Sequence, residues 1–580
     1  MSLILLMITA CDVVSTPLDS ENGTDPEPDS TATEGENPEE GGSLIVAIPE
    51  EPDSLNFSLS SRASTRWILS TVDARMIQIN ADDEYEPRLL REVPTVENGG
   101  ISEDGLTYTI RFVPDVTWSD GEPLDARDFA FTWETLTASD YPAVDLRGWS
   151  MIEDVTVSSD NLSAVIRLRQ PSAAFINRVL AGGSSDDGGF LLPRHLLEEI
   201  PVEERASHEY GAVGHVGAGP FQVVEWEPGE QLTVGRNENY WGDQPLLDRI
   251  VFRFTDTPRD AITQVTTGDI DLAVSLPESA LLDAIDSDET ESLVTPKAGA
   301  VKTYAFNLRD PENLSREHPI FHDVDVRRAI TMGFDRWSIV EQLTLDQSEV
   351  PGTLLSNTLW ENENLEPIPY DPERAAELLD EAGWQINEDG IRYRNGVPLS
   401  FTVTTTAGDD PDAVLRQRVQ SAFIEDMTEL GAQVEAVNYE PERLYGTEEQ
   451  NGILGESQFD IVDIPWENRA ALDKFIELVG EAFIPSSDYP EGANLMGYAS
   501  EEVNRLLREQ ANTHDPDERA ELLDEIQAQF MADVPVILIY NHIEIDVRRS
   551  YVHGLAPGPV SGLWWNVEEW WISPDEVDPN

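Results

Sequence analysis

The chain is 580 residues long and carries 112 acidic against 37 basic side chains, a formal charge of −75. That length exceeds what one hydrophobic core supports, so two or three domains are expected; the charge argues against a nucleic-acid partner, because phosphate binding needs a positive surface. A single cysteine, Cys11, excludes a disulfide framework and a thiolate metal site. Three lysines (Lys297, Lys302 and Lys474) stand beside 34 arginines. The acidic excess reads either as a well-solvated surface from a genome with biased codons or as adaptation to high salt, where screening relieves self-repulsion.

From the amino terminus, Ser2–Ala10 is apolar and ends at Cys11, with small residues before it that suit a signal peptidase. Residues 12–42 hold ten acidic side chains and no basic one. A segment this polar cannot bury enough apolar surface to fold, and it is expected to be a disordered tether. Ser43–Pro49 then opens the folded part as a short strand. Asp104-Gly105 is a turn signal, after which Tyr108, Ile110 and Phe112 alternate with Thr107, Thr109 and Arg111, the period of a half-buried strand. Trp118-Ser119-Asp120-Gly121 turns the chain again. Asp125 is placed to cap a helix with Asp128 in its first turn, and Phe129, Trp133 and Leu136 give that helix one apolar face. Val216–Phe221 is a glycine-permitted tight turn that feeds a strand pair running into Arg236–Trp241. A helix is expected from Phe321-His322-Asp323 through Ala329-Ile330 to Asp335-Arg336, and another from Tyr370-Asp371-Pro372 to a stop at Gly383. Phe459–Ile464 reads as a buried strand, with Trp466 just past its carboxyl end.

These segments, with Pro52-Asp53-Ser54-Leu55-Asn56, Tyr85–Leu90 and Thr267-Gly268-Asp269-Ile270-Asp271-Leu272, follow one another from Gly42 onward. The chain in this respect resembles the family 5 extracytoplasmic solute-binding proteins of ABC importers, the peptide-, nickel- and oligosaccharide-binding group. The resemblance implies an α/β fold of two hinged lobes, periplasmic-binding-protein-like of type II, with an extra inserted domain. Lobe one would comprise 43–60, 214–309 and 535–580, the inserted domain 61–213, and lobe two 310–534. Periodicity alone supports only a mixed α and β, multidomain chain. Ile8-Thr9-Ala10-Cys11 resembles a lipobox, which implies a signal peptide over 1–11 and an acylated Cys11 holding the protein to the outer side of a membrane. The implied activity is capture of a solute, a peptide ahead of an oligosaccharide, by hinge closure and its delivery to a membrane permease. A sensor that presents its closed form to a receptor is the other reading. A monomer without cofactor or metal is expected.

A catalytic reading finds no support in the motifs: Gly-x-Ser-x-Gly, His-Glu-x-x-His and the phosphate-binding Gly-x-x-x-x-Gly-Lys are all missing. His318 and His322, followed by Asp323 and Asp325, invite a metal reading, but Pro319 interrupts any regular helix between them. Ligands of open α/β lobes bind beyond the carboxyl ends of strands, which singles out Trp466. In peptide-binding members of the family a tryptophan here is followed, three residues on, by an aspartate that pairs with the peptide ammonium. In this chain the aspartate position is Arg469, which cannot play that part, and Glu467 or Asp463 would substitute. Ser61 and Arg62 after the first strand, and Trp149 of the inserted domain, are expected on the facing side.

Overall fold

The computed structural model describes residues 38–573, apart from 147, 173, 183–187, 282–283, 285–288, 447–451, 468–471, 487–491, 512 and 514–515. Cys11, the acidic segment up to residue 37 and Arg469 therefore lie outside the described residues.

One ten-stranded sheet organises the body. Its strands are β1 (Ser43–Ile48), β2 (Phe221–Glu227), β3 (Gln231–Arg236), β4 (Arg249–Phe254), β5 (Leu272–Leu276), β6 (Thr290–Phe306), β7 (Ser400–Thr406), β8 (Gln433–Tyr439), β9 (Ile461–Glu467) and β10 (Val536–Arg549). Their order is β8-β7-β9-β6-β10-β5-β1-β4-β3-β2. β6 and β10, of 17 and 14 residues, are long enough to belong to both halves. They pair antiparallel from Thr290 opposite Arg549 to Ala305 opposite Val536. β5 joins this pair at one end and β9 at the other. The register breaks between Pro296 and Val301, where Gly299 takes a left-handed φ of +55° and donates its N–H to Ser356 O at 2.7 Å. This bulge lies between the stretch of the pair that β5 joins and the stretch that β9 joins.

Apolar clusters cover both faces of each half. Beside lobe two, one cluster gathers Tyr304, Phe306, Phe321, Phe401 and Phe423, and a second gathers Val301, Leu354, Phe459, Phe475 and Phe530. On the other half, Ala47, Ile262, Val265 and Ile545 form one side. Its opposite side runs without interruption from Leu44, Val46 and Phe252 through Ile68, Phe129 and Phe190 to Trp570. The region 61–213 thus shares one core with lobe one.

Local patterning explains several elements. Tyr108, Ile110 and Phe112 are all buried, and the strand spans Thr107–Arg111. The helix α1 spans Ala63–Val72 and α2 spans Ala126–Leu136. α2 starts with a full capping box: Asp125 accepts from Arg127 N–H, and Asp128 accepts from Asp125 N–H at 3.0 Å. Asp128 also accepts from Arg194 N–H at 3.0 Å; burial pushes its carboxyl up to about 6. The glycine turn is required by close approach, since a Cβ on Gly217 would stand 1.9 Å from Val72 O at the end of α1. The helix expected from Phe321 to Arg336 is instead two: Val324–Met332 and Arg336–Leu343. Gly333 ends the first against Leu430, and Asp335 caps the second.

Candidate functional site

The carboxyl ends of the two lobes' strands converge on the bulge. β5 runs toward it and ends at Leu276 opposite Ile545; β9 runs toward it from the other side and ends at Glu467 opposite Ala300. β1 and β4 are parallel to β5, and β7 and β8 lie parallel to β9. An interlobe cleft floored by 296–301 of β6 and 541–545 of β10 therefore receives the carboxyl ends of both half-sheets, where α/β lobes bind ligands.

Trp466 lies inside β9, opposite Val301, rather than beyond its end, because the long neighbour β6 supplies pairing partners as far as Ala300. It is half-buried against the Leu354–Phe530 cluster, and its indole N–H has no hydrogen-bond partner among the described residues. Glu467 closes the strand. Asp463 is fully buried and already engaged: Lys302 Nζ donates to its two oxygens at 2.7 and 2.5 Å, and Thr405 Oγ1 donates at 2.8 Å. A carboxylate neutralised in this way has no charge left for a ligand ammonium, so Asp463 is a structural residue of the cleft wall. Burial pulls the Lys302 ammonium down from its ordinary value while Asp463 opposes that shift.

On the lobe-one side, Ser61 and Arg62 are exposed in the segment between β1 and α1. Arg62 reaches Glu50 at 3.2 Å, Asp53 at 3.3 Å and the Glu51 carbonyl at 3.0 Å, so it organises the loop that follows the strand. Trp149 departs from expectation. It is only 5% exposed and packs against Phe129 with ring centroids 5.4 Å apart, within the shared core. The apolar face of α2 needs a large partner there, and Trp149 supplies it. His318 is likewise structural: its Nδ1 accepts from the N–H groups of Ile320 and Phe321, and its Nε2 donates to Asp460 at 3.1 Å. Among the described residues no group of three His, Cys, Asp or Glu is arranged to hold a metal.

Sequence reading missed the polar groups around the bulge. Glu278, just after β5, accepts from His542 Nδ1 at 2.6 Å, Ile543 N–H at 3.1 Å and Tyr540 OH at 3.0 Å, tying lobe one to β10. Helix α3 (Pro411–Glu429) begins beyond the carboxyl end of β7 and packs against the Glu278–Ala280 turn of lobe one. Its Arg416 donates to Tyr445 OH at 2.8 Å and has no carboxylate within ion-pair distance among the described residues. Tyr445 is 40% exposed. The one available signal was lysine scarcity, since two of the chain's three lysines stand here, Lys297 inside the bulge and Lys302 just past it.

Two buried carboxyls contribute stability that is lost in acid. Burial by itself raises Glu278, but the His542 charge and the three hydrogen bonds bring it below its ordinary value. Asp460 behaves alike: burial raises it, and His318 with the N–H and hydroxyl of Thr402 brings it lower. Their contribution is complete above the unfolded values of about 4.3 and 3.9 and is lost as pH falls through the lower folded values. Glu278→Gln is expected to reduce stability at neutral pH and to flatten the fall below about pH 4. An acid-unfolding curve identical in shape to that of the unaltered protein would contradict this.

Comparison with known proteins bears on the same architecture. The profile of bacterial extracellular solute-binding proteins, family 5 Middle, matches residues 84–475. The chain belongs to this family. The oligopeptide-binding protein AppA of Bacillus subtilis is 23% identical over 98% of both chains, and Protein XP55 of Streptomyces lividans is 25% identical over 87% of this chain and 84% of its own. Among solved structures, AppA from Bacillus subtilis in complex with a nonapeptide superposes with a TM-score of 0.64 at 22% identity, covering 93% of this chain and 100% of its own. NikA from Brucella suis in complex with Fe(III)-EDTA gives 0.72 at 20% identity, covering 92% and 100%. The expected fold is borne out: this family 5 solute-binding protein has two α/β halves on a continuous sheet. No helix among its described residues is long and apolar enough to cross a membrane.

Proposed function

We propose that this family 5 protein is the substrate-binding component of an ABC importer and captures a peptide between its lobes by closing about the 296–301 bulge. The observation that carries the reading is the convergence of both sets of strand ends on one cleft floor. Ligand contact with both walls stabilises the closed form, and only contacts made in that form shift the equilibrium. The relatives named for oligopeptides support a peptide. In this reading lobe one comprises 43–60, 214–309 and 535–580, with 61–213 inserted and 310–534 as lobe two, into which β6 beyond the bulge and the first residues of β10 extend. Arg416 and Tyr445 grip the ligand carboxylate, Trp466 packs on the neighbouring residue, and Arg469, Glu467, Ser61 and Arg62 edge the cleft. Acylated Cys11, followed by the acidic segment 12–42, holds the monomer on the outer face of the membrane beside its permease. The protein performs no chemistry on the ligand and uses no cofactor.

Native mass spectrometry of the full chain purified from rich medium tests the class of ligand. A ladder of peptide masses on the apo protein is expected; hexose-spaced adducts would overturn the reading in favour of an oligosaccharide. The role of Arg416 has its own test. Amidating a peptide's carboxyl terminus is expected to weaken its binding about 10–100-fold, the range of a charge-assisted hydrogen bond, and to have no effect on Arg416→Ala. Equal penalties in both proteins would remove Arg416 from the carboxylate end.

A further inference from the structure

A cavity of about 110 Å³ lies against the bulge on the lobe-one side. Trp67 of α1, Ala298 and Ala300 of the bulge, and Val560 and Leu563 give it apolar walls, and Glu544 of β10 and Lys297 of β6 bring charge to it. Glu544 accepts from Ser275 Oγ at 3.2 Å, while Lys297 Nζ stands 3.6 Å away, beyond hydrogen-bond reach. An ionised carboxylate offers about four acceptor sites. Glu544 is thus ion-paired with Lys297 through the oxygen that also accepts from Ser275, and among the described residues its other oxygen accepts no hydrogen bond, unlike Asp463, both of whose oxygens are engaged.

Two residues along the same strand, Asp546 is 1% exposed and accepts from Ser275 N–H at 2.8 Å. Burial and the adjacent Glu544 charge hold its carboxyl well above the ordinary range. Asp546, which this shift favours in its neutral form, adds no charge to the pocket, so Glu544 is the acid that faces Lys297, whose side chain is 36% exposed. An anion seated on Lys297 would meet the Glu544 carboxylate 3.6 Å away; a cation seated on Glu544 meets one lysine on a flexible stem that can turn to solvent.

We propose that this cavity is a cation-selecting subsite of the cleft, in which Glu544 receives a primary amine carried on an aliphatic stem, as in a lysine-type side chain of a bound peptide. The apolar walls take the methylenes, the Trp67 ring adds attraction for the ammonium, and the net charge of −75 draws cations toward the cleft. The subsite rests on the solute-binding reading above and names the side chain that such a ligand carries.

The test uses the full chain at low ionic strength with two kinds of probe. Cadaverine, with pentanol as its neutral counterpart, is followed by thermal shift; short peptides differing only in lysine against norleucine are followed by calorimetry. Cadaverine is expected to raise the melting temperature where pentanol does not. The lysine peptide is expected to bind at least about tenfold tighter than the norleucine peptide. Both effects are expected to vanish in Glu544→Gln and to grow in Lys297→Met, which removes the competing cation. Equal affinities, or a preference that survives Glu544→Gln, would overturn the subsite, as would the absence of any cadaverine response. A cadaverine response lost in Glu544→Gln, with every peptide failing to bind, would keep the pocket and sink the peptide reading alone.

Discussion

Lys302→Met is expected to cost roughly 3–5 kcal/mol of stability, the penalty for leaving one partner of a buried ion pair unpaired. Lys302 is 2% exposed and Asp463 is 0% exposed, and after the substitution Thr405 Oγ1 alone would face the Asp463 charge among the described residues. The companion double substitution, Lys302→Met with Asp463→Leu, is expected to recover most of the loss, because two apolar groups carry no desolvation penalty. Lys302→Arg is not expected to rescue. The guanidinium fork is larger than the ammonium and needs a different set of acceptors, which fits the retention of lysine here in a chain that otherwise uses 34 arginines. Thermal and denaturant unfolding, read as apparent values because a chain with two lobes need not unfold in one step, decide the matter. A single variant that unfolds like the unaltered protein would show that the pair carries no stability.

Raising sodium chloride from about 0.01 M to 1 M is expected to lift the apparent melting temperature by roughly 10 °C or more, as the screening length shrinks from about 30 Å to 3 Å. The cause is the imbalance of 112 acidic against 37 basic side chains. Many of the surface carboxylates have no arginine beside them, and their mutual repulsion favours the expanded state. Buried pairs such as Lys302–Asp463 are screened far less and do not contribute to the slope. Sodium sulfate strengthens apolar burial as well as screening, so the comparison uses sodium chloride with a matched neutral osmolyte as control. A melting temperature that stays level across the series would leave biased codon use as the reason for the acidic composition.

Much of the fold was legible in the chain because it depends on neighbours in sequence. The strand at Thr107–Arg111 follows from an alternation over six residues, and α2 follows from Asp125, Asp128 and an apolar face. Both signals act within one or two turns of backbone, so nothing distant overrides them. The break at Gly333 was missed although its signals, a glycine at the end of the first helix and Asp335 capping the second, lie in the sequence itself; Leu430 packs where a side chain at 333 would stand.

The cleft residues divided along the same line. Trp466 and the strand that carries it could be located from composition and from the matching motifs, for a buried apolar strand announces itself locally. Whether a given polar side chain is free was a different question. Asp463 is occupied by Lys302, 161 residues away, and Glu278 by His542, 264 residues away. Trp149 was drawn into the core by Phe129. Backbone periodicity and capping are short-range and travel with the sequence. The desolvation and pairing of a charge are set by whichever atoms the folded chain brings within about 4 Å, and only the converging strand ends of the two lobes decided which atoms those were.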